Sequence, residues 1–173
     1  PDVSIIIPVR NGAETLGDCL DALGRQLAGR NAEVVVVDDG SEDGSAEVAA
    51  SRGFCRVVRQ TGTGAAAARN RGLRESSASF VLFLDADCVP RPDWVESMLA
   101  GLRDPGVDGL VGKFVSAQNG WISRLIQIDL DLRYERMSRF ERVDFVNTAT
   151  CGFSRTVLGL SLIHISEPTR LRR

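Results

Sequence analysis

Three continuous apolar runs, SIIIPV at residues 4–9, EVVVV at 33–37 and SFVLFL at 79–84, each stop abruptly at polar residues. Runs this short that do not alternate with polar residues read as strands buried on both faces. A sheet of such strands must be covered by helices on both sides, and the intervening sequence supplies them. Leu16, Leu20, Leu23 and Leu27 fall on one face of a helix expected over residues 14–28. DDGSEDGS at 38–45 favours a turn and a helix start, and Gly53 closes the short helix that follows. A weaker strand is expected over 55–59 and a helix over 64–75. Pro92 and Asp93 open a helix that turns Trp94, Met98, Leu99 and Leu102 inward. A strand over 109–115 and a long amphipathic helix over 120–139 come next. The alternation predicts an α/β fold with a mostly parallel sheet flanked by helices. At 173 residues and 43% hydrophobic, the chain suits a single domain that buries roughly two thirds of its unfolded surface.

Right-handed crossovers place ligands beyond the C-terminal ends of the strands, where strand order reverses. Arg10 and Asn11 follow the first strand, Asp38 and Asp39 end the second, and Asp85 and Asp87 follow the fourth. If the first strand lies between the other two, all of these polar groups face one crevice. Asp85 and Asp87 are separated only by Ala86. Two like charges at the end of a buried strand are costly unless something cationic stands nearby.

Other features exclude classes of function. The apolar runs fall far short of the about 18 residues of a membrane span. The start, PDVSIII, has no Met and no basic leader region, so the sequence is expected to begin inside a gene or after a trimmed leader. Cys19, Cys55, Cys88 and Cys151 form no C-x-x-C pair, which argues against a disulfide framework or zinc site and suits a reducing cytosol. A net charge of -2 gives no basic footprint for nucleic acid. From Leu160 the chain reads LSLIHISEPTR, the translation of a transposase adapter used in preparing sequencing libraries. Residues 160–173 are therefore expected to be a non-native tail, with authentic sequence ending near Gly159. Without them the net charge is -4 and the only histidine, His164, is gone, so no histidine chemistry is assigned.

SIIIPVRN, VVVVDDGSEDGS, GTGAAAARNRG and FLDAD, in this order and at these separations, resemble the family 2 glycosyltransferases. The ordered set spans residues 4–87, and a weaker likeness continues to about Leu158. The resemblance implies the GT-A fold, a Rossmann-like α/β domain, here incomplete at its C-terminal end. It implies that Asp39, with Asp38 beside it, contacts the uracil or ribose of a nucleotide sugar. It also implies that Asp85 and Asp87 form the D-x-D element, with Asp87 holding Mn2+ or Mg2+ on the diphosphate. The full nucleotide-sugar set is Pro8, Arg10, Asn11, Asp38, Asp39, Arg69, Asn70, Asp85, Ala86 and Asp87, with Asp87 and Asp85 toward the metal. An aromatic residue often stands in that family where this chain has Arg10. Transfer would proceed with inversion to a saccharide or lipid-linked acceptor hydroxyl. The family's general base follows a G-x-x-x-R-type segment, to which CGFSRTVL at 151–158 is similar, and arrives some tens of residues later in an E-D pair. The adapter-like stretch intervenes, so no catalytic base is assigned, and the chain itself is expected to be inactive.

Two other readings stay open. GTGAAA at 62–67 satisfies G-x-G-x-x-A between a strand and a helix, with Asp85 about 20 residues on, as an NAD(P)-type dinucleotide-binding fold would require. A noncatalytic binding module on the same scaffold is the other. The 120–139 helix also reads two ways. Its stripe of Ile122, Leu125, Ile126 and Leu130 suits packing on the sheet, or peripheral contact with a membrane surface or lipid-linked acceptor. Asp129, Asp131, Glu135 and Glu141 weaken attraction to anionic lipid.

Overall fold

The computed structural model describes residues 1–113, 115, 121–137 and 148–160. Its centre is the strand β1 (Val3–Val9), buried along its whole length. β2 (Ala32–Asp38) and β4 (Phe80–Leu84) flank it in parallel, with Ile6 level with Val35 on one side and Phe83 on the other. β3 (Cys55–Arg59) pairs with β2 at one edge. The sheet order is β3-β2-β1-β4-β6-β5, so chain order reverses between β1 and β4, as the crevice argument requires. β5 (Gly109–Val111) and β6 (Thr150–Ser154) complete the sheet.

The two faces of β1 divide the core. Ile5, Ile7 and Val9 pack with Leu16, Leu20 and Leu23 of α1 (Ala13–Leu27) and with Val95, Met98, Leu99 and Leu102 of α4 (Trp94–Leu102). α2 (Ser45–Ala50) adds Ala49 to the same layer. Ile6 points the other way, among Val35, Val37, Val81 and Phe83, with Ala68 and Leu73 of α3 (Ala65–Glu75) and Leu158 of α6 (Arg155–Leu160). Each fully buried Ile, Leu or Phe contributes about 1.5–3 kcal/mol. α3 lies unusually close to the sheet: a Cβ added to Gly72 would come within 2.3 Å of Ile6 Cγ2.

β6 was not anticipated. It runs antiparallel to both neighbours, from Leu84↔Thr150 to Phe80↔Ser154 on the β4 side. TCGFS lacks an apolar run because Gly152 sits where any Cβ would fall 2.5 Å from Leu82 Cδ2. The expected 109–115 strand stops at Val111, since its partner begins only at Thr150; Gly112 N makes the last bond, to Thr150 O at 2.9 Å.

Of the stripe expected on α5 (Trp121–Met137), Leu125 is 57% exposed and Leu130 half-buried, while the side chains of Ile122 and Ile126 lie outside the described residues. The ties of α5 to the body include two polar ones: Tyr134 Oη donates to Gly112 O at 3.2 Å, and Asp131 pairs with Lys113 at 2.9 Å. Trp121, Leu125, Ile128 and Leu132 lie along a different face of the helix and are exposed. Among the described residues no helix is long and apolar enough to cross a membrane. Most of the expected tail, residues 161–173, lies outside the described residues, as do Gly120 and Glu141; Leu160 ends α6.

Candidate functional site

A cavity of about 450 Å³ opens where β1, β2 and β4 end, bordered by the first turns of α1 and α3. Pro8, Arg10, Asn11, Asp39, Arg69, Asp85, Ala86 and Asp87 line it together, although they come from four separate segments. Asp38 and Asn70 are not among its lining residues. Asp38, the last residue of β2, is buried, and its Oδ1 accepts from Ser41 N at 3.0 Å. The lining residues the sequence reading passed over are chiefly small: Gly12, Gly64, Ala65 and Ala68. For Gly64, Ala65 and Ala68 the signal was the run GTGAAAA itself, which lets a helix start approach the crevice without filling it.

The acids of the β2 loops do more than line a wall. Asp39 is 2% exposed and both its oxygens are engaged. Oδ1 accepts from Thr63 N (2.8 Å) and Gln60 Nε2 (2.7 Å), and Oδ2 accepts from Gly64 N (2.7 Å). Burial pushes its carboxyl up, but the bonds from Gln60, Thr63 and Gly64 outweigh it and hold Asp39 below the usual range. Gly40, at φ +77°, allows the two loops to touch; a Cβ there would lie 3.0 Å from Gly62 N. Arg10 is exposed and lies against Gly62, its guanidinium nitrogens 3.5 and 3.6 Å from where a Cβ would be.

Asp43, which drew no notice in the sequence, ties α1 to the same loop. Its Oδ2 accepts from Ala13 N at 2.9 Å and its Oδ1 from Ser45 N at 3.1 Å, so one carboxylate serves the first turns of two helices. Asn11 adopts φ +50°, a left-handed conformation that Asn tolerates better than most residues. It is held by Ser41 Oγ on its own N–H and by Glu42 N on its side-chain oxygen.

The cation expected beside the D-x-D pair is Arg69. It is 6% exposed, and its Nη2 meets Asp85 Oδ1 at 2.5 Å. Burial raises the Asp85 pKa; Arg69 offsets this only in part, and the neighbouring Asp87 adds to the rise. Asp87 is exposed and has no ion-pair partner among the described residues. No group of three or more His, Cys, Asp or Glu side chains arranged to hold a metal occurs among those residues. Two carboxylates on one loop fit the other common arrangement for a hard cation, in which ligand phosphates and water complete the shell.

Arg155 of the CGFSR segment stands at the opposite end of the sheet. It donates to Ala78 O (2.5 Å), Leu73 O (3.4 Å) and Ser76 Oγ (2.8 Å), clamping the α3–β4 connection. The G-x-G-x-x-A turn is likewise committed. Thr63 N and Gly64 N, which a dinucleotide pyrophosphate would need, already donate to Asp39.

The family model described as Glycosyl transferase family 2 matches residues 4–159. Glycosyltransferase AglE of Haloferax volcanii is 41% identical over 120 residues, covering 65% of this chain and 38% of that protein. A pre-mycofactocin glycosyltransferase of Mycobacterium tuberculosis is 38% identical over 122 residues, 69% of this chain and 25% of its own length. The chain thus spans well under half of these relatives. Among solved structures, the mannosyltransferase PcManGT from Pyrobaculum calidifontis, in complex with GDP-Man and Mn2+, superposes with a TM-score of 0.74 at 25% identity, over 92% of this chain and 46% of that one. TarS of S. aureus in complex with UDP-GlcNAc gives a TM-score of 0.61 at 25% identity, over 69% of this chain and 36% of that one.

Proposed function

The chain belongs to glycosyl transferase family 2, and from that premise we propose that its crevice binds a nucleoside-diphosphate sugar together with Mn2+ or Mg2+. In the whole protein, that donor would be used for inverting transfer to an acceptor hydroxyl. The observation that carries the reading is the unequal acid pair at the crevice mouth. Asp85 is neutralised by Arg69, whereas Asp87 is exposed with no cation of its own among the described residues. A diphosphate would be repelled by these carboxylates unless a hard cation lay between them. When bound, such a cation stabilises charge developing on the departing nucleoside diphosphate.

The residues divide the crevice by role. Asp87, with Asp85 beside it, forms the metal end. Asp39, the backbone of the 60–64 loop and Arg10 form the nucleoside end, and Pro8, Asn11 and Ala86 shape the floor between them. PcManGT holds GDP-Man and TarS holds UDP-GlcNAc, which supports a nucleotide-sugar donor of either base class. Residues 1–159, which the family model matches from residue 4, are the donor-binding part in this proposal, and 160–173 are read as a foreign tail. The general base is not assigned to any residue of the chain.

Calorimetry with UDP and with GDP, with and without Mn2+, tests the reading. Binding is expected in Mn2+ and lost in chelator, and Asp87→Asn is expected to abolish the difference. Equal affinity with and without chelator, or a Mn2+ effect that survives Asp87→Asn, rules out the metal assignment.

A further inference from the structure

The position of Arg69 in the crevice gives it a role beyond lining the wall. It lines the cavity, yet it is one of the few charged residues that the fold buries. Its Nη2 is engaged with Asp85, and its Nε is sealed from solvent with no hydrogen-bond partner among the described residues. Two of its three guanidinium nitrogens are thus sealed or committed, the committed one held 2.5 Å from a carboxylate of the same chain.

Backbone placement explains why the pair forms. Arg69 projects from α3 one turn after Gly64, and Gly72, one turn further on, lets that helix sink onto Ile6. Asp85 leaves β4 with its own N–H fixed to Ala149 O at 2.9 Å and its carbonyl accepting from Cys88 N at 3.0 Å. Both partners are therefore positioned by rigid elements, and the ion pair fixes the one freedom that remains, the direction of the Asp85 carboxylate.

We infer that Arg69 is a positioning residue: it acts through Asp85, holding that carboxylate in a fixed direction beside Asp87. The inference deepens the donor reading and rests on it for its binding arm. Because the outer partners of a metal-facing carboxylate govern how well it presents its oxygens, Arg69→Met should weaken Mn2+-dependent UDP binding by about 10- to 100-fold. Arg69→Lys, which retains the charge, should recover part of that loss.

The test is a double-mutant cycle of Arg69→Met, Asp85→Asn and the pair, read by calorimetry with UDP in Mn2+ and by thermal melting. If Arg69 acts only through Asp85, Arg69→Met added to Asp85→Asn produces no further loss of UDP affinity. If it grips the nucleotide, the two losses multiply, and the inference is overturned. Melting provides a separate arm. Arg69→Met alone leaves Asp85 half-buried without its cation and should lower Tm by several degrees, and Asp85→Asn should restore part of that drop. Additive Tm losses would also overturn it. Should the unaltered chain bind no nucleoside diphosphate in Mn2+, the donor reading fails, while the melting arm still decides whether the two side chains are coupled.

Discussion

Replacing Asp39 by Asn changes one atom and removes one charge, and the geometry gives the consequence. An Asn oxygen in the Oδ1 place still accepts from Thr63 N and Gln60, but its NH2 group then confronts Gly64 N–H, which loses its 2.7 Å acceptor at a site only 2% exposed. Leaving one buried donor unsatisfied and making the surviving bonds neutral costs about 2–3 kcal/mol, less whatever is regained by no longer burying a charge. For a chain of this size that is a fall in Tm of roughly 4–12 °C. The effect must also depend on pH. Asp39 titrates below its unfolded value of about 3.9, because its hydrogen bonds overcome the effect of burial. Its stabilisation is therefore complete above that value and is lost as pH falls through the lower folded one. Urea unfolding of both proteins at pH 7 and again near about pH 3 should show a gap that narrows in acid. An Asp39→Asn protein as stable as the original at pH 7, or a gap unchanged by acid, would refute the view that this carboxylate clamps the 60–64 loop.

Gly72→Ala opposes two effects of known size: helix propensity favours alanine by about 1 kcal/mol, but the new Cβ would meet Ile6 Cγ2 at 2.3 Å in a fully buried layer. Overpacking should win, with a net loss of about 1–3 kcal/mol in urea unfolding; a neutral or stabilising result would mean that α3 can lift off the sheet. Removal of residues 161–173, which keeps α6 whole, is expected to leave Tm within error, and a clear drop would show that the adapter-like tail packs on the domain.

The central strands and the polar groups at their ends were legible because burial on both faces leaves an unbroken apolar run, and the residue after such a run must lie at the sheet's edge. β1, β2 and β4 appear within a residue of their expected limits, and the reversal of order beside β1 collects Arg10, Asp39 and Asp85 as anticipated. β6 was illegible for the opposite reason. Gly152 is required by the closeness of Leu82, Met98 and Leu102, so the strand that borders them carries little apolar signal of its own. Asp38 and Asp39 are adjacent and chemically identical, and only the three-dimensional path of the loop decides that Asp39 lines the cavity while Asp38 turns into DDGS. The division of Asp85 from Asp87 is of the same kind. It depends on the placement of α3, set in part by Gly72, a position whose importance no local pattern reveals.

The electrostatics of the crevice follow from where the loop acids point. A helix N-terminus facing a cleft ordinarily offers free N–H groups to an anion, and two helices, α1 and α3, begin at this one. In both, donors of the first turn are already bound to carboxylates: Ala13 N to Asp43, and Gly64 N at the cap of α3 to Asp39. The Ser45 hydroxyl and then Ala13 N–H hold Asp43 below the usual range, and for Asp39 burial is outweighed by the bonds from Gln60, Thr63 and Gly64. Both acids therefore stay ionised at neutral pH and cancel much of the positive end of each helix. Of the two arginines in the wall, Arg69 is neutralised by Asp85, leaving Arg10 as the cation without an acid partner among the described residues. Fewer backbone donors are therefore left for a diphosphate than at a dinucleotide-binding turn, where they provide most of the attraction. An anionic ligand must bring positive charge with it, and Asp87, exposed beside an acid that is already paired, is where that charge would be held. The carboxylates that cap the helices and the proposed need for a divalent cation are thus two consequences of one arrangement: the loops following β2 stabilise the fold with the same negative charge that makes the crevice depend on a metal.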